Sequence, residues 1–228
     1  MENLAENRGA GVRKMFDTIA GRYDLMNRLM SMGQDQKWRR FVVGKARPGG
    51  LVLDLAAGTG DIAVLLSAQG SEVVGADFSL GMLKEAEKRF ADSGIHWLAC
   101  DANRLPFADN SFQAVTFGYL LRNVDNSLTV LREVYRVLQP GGRAVCLDTT
   151  PPAKNFYYPL IKFYFRFGIP LLGRLVARDK DAYAYLTGST LKFHAADELA
   201  GLFRQAGFNQ VGYKKFMLGT IGVHWGEK

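Results

Sequence analysis

The chain has 228 residues, 48% hydrophobic and 22% charged, with 29 basic against 22 acidic side chains and a net charge of +7. That length supports one well-buried domain, and the charge favours anionic partners such as nucleic acid or an acidic membrane surface, although many ordinary enzymes are also basic. Cys100 and Cys146 both fall in apolar runs with no CxxC or metal-ligand spacing, which reads as two buried thiols in a reducing compartment.

Taken in chain order, the N-terminus MENLAENRGAGVRKMF lacks the apolar core of a signal peptide. Residues 1–47 are charged and helical in pattern. Residues 50–150 alternate short apolar runs with amphipathic stretches, which predicts βαβ units and a mostly parallel sheet. The strands are LVLDLA, EVVGAD, IHWLAC, QAVTFG and RAVCLD, and helices fall near Asp61–Ala68, Leu80–Phe90 and Asn126–Leu138. The last helix should stop at Gln139-Pro140-Gly141-Gly142, where proline cannot extend it and the glycines turn the chain into the next strand.

Residues 151–192 interrupt this rhythm with FYYPLIKFYFRFGIPLLGRLVA (Phe156–Ala177). The segment is long enough to span a bilayer, but Lys162, Arg166 and Arg174 would be expensive in hydrocarbon, so a span is excluded. In residues 193–228, AADELAGLFRQAGF predicts an amphipathic helix ending at Gly207. NQVGYKKFML and TIGVHWG then read as a hairpin joined through Leu218-Gly219. The prediction is a single α/β domain: a doubly wound, mostly parallel sheet closed by an antiparallel hairpin.

The first strand runs into a Gly58-x-Gly60-x-x-Ala63 turn, which brings backbone N–H groups toward a nucleotide. Asp77 follows about twenty positions later, suited to ribose hydroxyls. The loop alone fits a dinucleotide or S-adenosylmethionine (SAM). Three features favour SAM. Its carboxylate can accept from the N–H groups at the helix start, and Asp54 at the end of the first strand can help receive its ammonium. Asp101-Ala102, after the third strand, can take the adenine amino group and a ring nitrogen. The terminal hairpin and the Gln-Pro-Gly-Gly stop suit a methyltransferase sheet better than a dinucleotide fold. The bland alternative is a tight glycine turn with Asp77 capping the helix at Ser79. It explains one residue at a time, whereas three successive strand ends aim at the carboxyl edge where open α/β sheets bind ligands.

These residues resemble the quinone C-methyltransferases of menaquinone and ubiquinone biosynthesis, the demethylmenaquinone methyltransferase family. The resemblance covers nearly the whole chain. It runs through VRKMFDTIAGRYDLMNRLMSMGQDQKWRR, with Phe16, Arg22-Tyr23-Asp24, Asn27, Ser31 and Trp38-Arg39, then LDLAAGTGD, LPFADNSFQAVTFGYLLRNVDN, LREVYRVLQPGGR, DAYAYLTGS and IGVHWGEK. Leu121-Arg122-Asn123-Val124 and the N-terminal Tyr-Asp block are its most specific parts. It implies a seven-stranded Rossmann-like sheet of class I SAM methyltransferases, with an N-terminal helical lid and a helical insertion after strand 5. It implies that Thr59 and Asp77 contact SAM and that Asp101 with Ala102 hold adenine. Gly118 stands where some members use Ser, and it joins Asp54, Gly58 and Gly60 in the cofactor-binding set. Ala56-Ala57, Leu120 and the run CLDTTPP depart from the usual pattern, the last two beside the expected acceptor pocket.

The expected reaction is methylation of a ring carbon of a reduced prenylated quinone. Arg122 would stabilise the developing phenolate, Asn123 would orient the ring oxygen, Asp148 is a candidate base, and Tyr23 would belong to a lid touching the substrate. The other reading of Arg122 and Asn123 is an ion pair and cap at the next helix. No metal is expected: His224 reads as packing or a pocket wall, and His96 and His194 as surface or strand residues. Phe156, Tyr157, Phe163, Phe165 and Phe167 alternate with Lys154, Lys162 and Arg166, as in an interfacial segment on anionic lipid, a cover helix, or a homodimer contact. The expected place is the cytoplasm, peripherally at the inner face of the plasma membrane. Rival readings are a SAM methyltransferase for another lipid-like acceptor, an NAD-dependent oxidoreductase, and a non-catalytic SAM or quinone binder. Nucleic acid is not expected as a partner, because no basic RNA-binding appendage or base-flipping motif is present.

Overall fold

The computed structural model describes residues 2–153, 155–172, 174 and 180–228, with side chains placed from residue 11 and, in the helix that starts at Lys180, from Tyr185. Lys154 and the end of the aromatic segment, residues 173 and 175–177, lie outside the described residues. Two helices come first, α1 (Glu2–Met30) and α2 (Asp35–Ala46). The alternating core follows as β1 (Leu51–Leu55), α3 (Asp61–Ser67), β2 (Glu72–Asp77), α4 (Leu80–Arg89), β3 (His96–Ala99), β4 (Phe112–Gly118), α5 (Ser127–Val137) and β5 (Leu138–Thr149). The insertion holds α6 (Tyr158–Phe163), a π turn at Tyr164–Gly168, α7 (Ile169–Leu172) and α8 (Lys180–Lys192). The chain closes with α9 (Ala196–Gln205), β6 (Asn209–Phe216) and β7 (Ile221–Glu227).

The seven strands lie in the order β3-β2-β1-β4-β5-β7-β6. β1 to β5 pair in parallel, and β7 runs antiparallel between β5 and β6. Alternation along each strand sends side chains to opposite faces, and the two faces carry separate cores. Leu53, Leu55, Val115 and Phe117 pack with Val130, Leu131, Val134, Leu199 and Phe203 of α5 and α9. Val52, Val73, Ala114 and Val145 pack with Trp38, Val42, Ile62 and Leu66 of α2 and α3. Because β1 lies between β2 and β4, the connections diverge around its carboxyl end and leave a crevice there.

Helix starts follow local chemistry. Asn126 accepts from the N–H groups of Leu128 and Thr129 at the start of α5, and Ser79 accepts from Met82 N at α4. One expectation is corrected. Helix α5 does end at Val137, but residues 139–142 do not form a turn ahead of the strand; they belong to β5, as a bulge between the pairs Phe112–Leu138 and Ala114–Arg143. Gly142 is required there, since a Cβ would lie 2.8 Å from both Gln113 O and Gln139 O.

The aromatic insertion has a helical period. Ile161, Phe165 and Ile169 are buried against Ile19, Ala20 and Met26 of α1 and Leu186 of α8. Phe156, Leu160, Phe163, Phe167 and Leu171 face outward. No helix among the described residues is long and apolar enough to cross a membrane.

Candidate active site

The crevice at the carboxyl edge is a cleft of about 690 Å³. Leu55, Ala56 and Gly58 contribute from the first loop, Asp77, Phe78 and Ser79 from the second, Cys100, Asp101 and Ala102 from the third, and Gly118, Tyr119 and Leu120 from the fourth. Phe16, Asp17 and Tyr23 of α1 form the cover, with Asn123 at the far wall. Asp77 is clamped: Gly58 N and Ser79 N each donate to it at 2.8 Å. Burial pushes its carboxyl up, and the same backbone N–H groups pull it back down. Gly58 has φ +57° and nothing within 4 Å of its missing Cβ, so the loop leaves open space in front of its backbone. Asp101 is held by Asn103, whose backbone and side-chain nitrogens both donate to Oδ1. A long cleft with one clamped carboxylate midway and a second at its end fits a nucleoside that carries an amino-acid tail.

Three of the cofactor-site residues named from sequence do not line this cleft. Asp54 faces the α3 side of the sheet, where it accepts from Thr116 Oγ1 at 2.7 Å. Burial raises its pKa to about 7, against the hydrogen bonds from Thr116 and the backbone of Ala63. Thr59 is buried and donates its hydroxyl to Asp24 Oδ1 at 2.8 Å. Gly60, at φ +90°, makes the turn itself; a Cβ would meet Trp97 Cη2 at 2.8 Å. These residues hold the loop from below.

The lid is tied down by acids. Asp17 accepts from Ser79 Oγ and Gly81 N at the start of α4. Asp24 receives Thr59 and pairs with Arg89. Arg89 also pairs with Asp61 at 3.0 Å, and Asp61 in turn binds Arg39, which holds Asp35 at 2.7 Å. Charge-assisted bonds of this kind fix α1 and α2 on the two loops that shape the cleft.

Past β4 the chain makes a 3₁₀ turn, Leu121–Asn123, that presents Arg122 and Asn123 on opposite sides. Asn123 lines the cleft, donates to Tyr119 O at 2.7 Å and accepts from Tyr185 OH at 3.3 Å. Arg122 is buried with its guanidinium 4.9 Å from the Tyr119 ring centroid. It lines a second, smaller cavity of about 80 Å³ with Asn27, Trp38, Thr149, Phe165, Ile169, Leu186 and Thr190. Tyr119, at φ +56°, lines both cavities and is the wall between them.

Asp148, the candidate base, lies beneath the Leu-Arg-Asn turn. It is 1% exposed, lines neither cavity, and its oxygens accept from Thr149 N at 2.8 Å and Arg122 N at 3.4 Å. Burial raises its pKa, and Arg122 lowers it. Its place is to hold the Leu-Arg-Asn turn, 3.8 Å from Arg122 Nε. Tyr23 reaches the cleft, its pKa raised by burial and lowered by Arg122 and Asn27. His224 is buried in β7 with Nε2 2.9 Å from Ala196 O, away from both cavities. Among the described residues no group of three or more His, Cys, Asp or Glu could hold a metal ion.

Sequence reasoning gave no role to Phe78, Tyr119, Thr149 or the Arg39–Asp61–Arg89 network. Phe78 follows Asp77 directly and could have been found as the next rim residue. The ion-pair network joins positions far apart in sequence and leaves no local signal.

The chain matches a family model, the ubiE/COQ5 methyltransferase family, over residues 1–228. It is 68% identical to the ubiquinone/menaquinone biosynthesis C-methyltransferase UbiE of Desulfotalea psychrophila, covering 100% of this chain and 94% of that protein. It is 40% identical to the demethylmenaquinone methyltransferase of Geobacillus stearothermophilus, covering 99% and 100%. In fold it is similar to a SAM-dependent, possible histamine N-methyltransferase from Thermotoga maritima, with a TM-score of 0.63 at 20% identity over 94% of this chain and 99% of that one. A putative methyltransferase bound to the Haloferax volcanii activator Trm112 gives a TM-score of 0.67 at 17% identity, over 93% and 96%. With a glycine loop, a clamped Asp77 and the Leu-Arg-Asn turn all on one sheet edge, this chain belongs to the ubiE/COQ5 methyltransferase family.

Proposed function

We propose that this chain transfers a methyl group from SAM to a ring carbon of a reduced prenylated quinone. The observation that carries the reading is the cleft itself: its rim suits the nucleoside and its far wall ends at Tyr23, Tyr119 and Asn123, next to Arg122. Names of relatives at 68% and 40% identity point to the same chemistry. Asp77 would hold the ribose hydroxyls, Asp101 and Ala102 the adenine, and the Gly58 loop the amino-acid end. When bound, SAM supplies an electrophilic methyl group that leaves its sulfur as the sulfonium charge is lost.

The chain's own residues prepare the acceptor. A quinol ring carbon becomes nucleophilic when a neighbouring hydroxyl ionises, so the protein must favour the phenolate. Arg122 is a fixed cation in a buried setting, where the charge acts far more strongly than in water. Asn123, held by Tyr119 O and Tyr185, is rigid enough to orient a ring oxygen. Alignment of this kind supplies roughly 7–11 kcal/mol in model reactions. Phe16 and Tyr23 of the lid helix α1 line the same cleft. The test is incubation with isotope-labelled SAM and a panel of reduced prenylated quinones, read by mass spectrometry. Label on a ring carbon supports the reading. Label on phospholipid amine or sterol instead would replace the acceptor, and no transfer to any acceptor would leave a binding protein.

A prenylated acceptor resides in a membrane, and the outer face of the insertion suits contact with one. Phe156 is 90% exposed, and Leu160, Phe163, Phe167 and Leu171 are exposed beside Lys162 and Arg166. At the adjoining end of α1 and in the turn after it, Leu25, Leu29 and Met32 are exposed as well. Apolar side chains flanked by cations fit peripheral binding to anionic lipid at the inner face of the plasma membrane. Flotation with anionic vesicles should carry the protein at low salt and release it at high salt. A dimer in solution with no flotation would assign the same face to self-association.

A further inference from the structure

The lid helix α1 holds two different cofactor loops through two different halves. Its first half meets the second loop. Asp17 Oδ1 accepts from Ser79 Oγ at 2.6 Å and from Gly81 N at 2.9 Å, and the Arg13 guanidinium lies 5.3 Å from the Phe78 ring centroid. Its second half meets the first loop. Asp24 accepts from Thr59 Oγ1 at 2.8 Å and pairs with Arg89, which also reaches Thr59 O at 3.2 Å. The second attachment is the heavier one. Arg89 passes it to Asp61, Asp61 to Arg39 and Arg39 to Asp35, and Asp35 meets Arg28 of α1 at 3.5 Å. This line of ion pairs therefore leaves α1 and returns to it. The first attachment rests on the turn that starts α4, where Ser79 also receives Met82 N and the bond from Gly81 is exposed.

Gly21 lies between the two attachments, exposed within a 29-residue helix. Glycine weakens a helix interior, and a Cβ built at Gly21 meets nothing within 4 Å, so close packing is not the reason for it. Gly81 has the opposite character. A Cβ there would lie 2.9 Å from Asp17 Oδ1 and 3.0 Å from Asp17 Cα, so a glycine is what lets α1 come down on α4. Ile19 and Ala20 share a buried cluster with Met82, Ile161 and Phe165, which keeps the closed form as the resting state.

We infer that α1 is a gate for cofactor exchange: Asp17 on the start of α4 is the catch that opens, Asp24 in the line of ion pairs is the mount that stays, and Gly21 is the bend between them. Val12, Arg13, Lys14 and Phe16 line the cleft together with Asp77, Phe78 and Ser79. Parting Asp17 from the α4 turn thus widens the cleft while Thr59 and Asp24 keep the first loop in shape. The catch and the nucleoside site also share a turn, because Ser79 N donates to Asp77 while Ser79 Oγ donates to Asp17. Asp17 is in this sense a positioning residue, acting on the cofactor through the turn and the lid. The inference concerns entry of SAM and release of S-adenosylhomocysteine, and it is independent of the acceptor.

Surface plasmon resonance on the immobilised full chain, with S-adenosylhomocysteine as analyte, reads the gate as a dissociation rate. Asp17→Ala should raise that rate about tenfold, the scale of losing charge-assisted hydrogen bonds. Asp17→Asn keeps one acceptor oxygen and should fall between it and the parent. Gly81→Ala should raise the rate too, although it leaves every lid side chain in place and alanine favours helix α4. Gly21→Ala should lower the rate about threefold, because a stiffer helix bends less often. Amide hydrogen exchange should quicken over residues 12–20 in Asp17→Ala and Gly81→Ala and stay as in the parent over residues 22–30. Unchanged dissociation in both of those variants, faster release in Gly21→Ala, or exchange quickened equally over residues 22–30 would overturn the gate. Loss of all binding in Asp17→Ala would also overturn it, by making Asp17 a direct ligand. If Gly81→Ala does not fold, the two Asp17 variants and Gly21→Ala decide.

Discussion

The cleft rim and the smaller chamber beside Arg122 meet at Tyr119 but are built in different ways. The rim is made by four loops, each the direct continuation of one strand, and much of its work is done by backbone N–H groups around Asp77. The chamber is made by side chains from α1, α2, the Leu-Arg-Asn turn, β5, α7, α8 and the hairpin end, spread from Asn27 to Ile221. A rim made of backbone tolerates many side chains and serves many acceptors. A chamber made of side chains changes with each substitution, which is where one methyltransferase differs from another.

The division can be broken from either side. Arg122→Ala should lower turnover about 100- to 1000-fold, the scale of losing a buried charge stabiliser, with S-adenosylhomocysteine affinity unchanged by calorimetry. Collapse of cofactor binding in that variant would merge the two regions and refute the assigned role. Gly60→Val attacks the rim: at φ +90° and 2.8 Å from Trp97 Cη2, the new side chain should cost about 3 kcal/mol or more in denaturant unfolding. An unchanged midpoint would show that the loop has another conformation available.

Buried titrating groups extend the comparison to pH. Asp54 beneath the rim has its pKa raised from 3.8 to about 7 by burial, so the native state binds the proton more tightly than the unfolded chain. Its contribution is full below pH 3.8 and is lost as pH rises through 7. His224 in β7 has its pKa lowered from 6.5 to about 4, chiefly by burial. The unfolded chain takes that proton first, so its contribution is lost as pH falls from 6.5 to 4. Asp54 is worth about 4 kcal/mol and His224 about 3, and between pH 4 and 6.5 they oppose one another. The two contributions therefore largely cancel there. Relative to the parent, Asp54→Asn should tilt the stability profile upward with pH in this window, and His224→Gln should tilt it downward. No change of slope in either variant would contradict these burials. The smallest effect is expected at Asp77→Asn, which loses the charge and one of the two acceptors for Gly58 N and Ser79 N. It should weaken S-adenosylhomocysteine about tenfold and leave quinone binding unmoved.

The same contrast explains how much could be read from the sequence. Each βαβ unit writes its own signals locally: alternation in the strands, Ser79 and Asn126 as caps, glycines at the first loop. The parallel pairing of the core and the closing hairpin followed from these. At residues 139–142 a sequence pattern that marks a turn also fits a bulge, and the neighbouring strand's Gln113 decided which. Asp54 shares the face of Asp77, but its register partner is Gly75, so it lies one step below the strand end, under the loop and on Thr116, rather than in the cleft. Asp148 likewise reads as a free carboxylate until the turn's N–H groups are seen to occupy it. The chamber was illegible because Asn27, Trp38, Arg122, Thr149 and Leu186 meet only in three dimensions.

The central claim is ring C-methylation of a quinol, and the most direct measurement is the position of the transferred methyl. With methyl-labelled SAM and a chemically reduced prenylated quinone, mass spectrometry should find one added methyl on a ring carbon, and Arg122→Ala should nearly abolish it. Label on a ring oxygen, or none on any quinol while SAM still binds, would contradict the account.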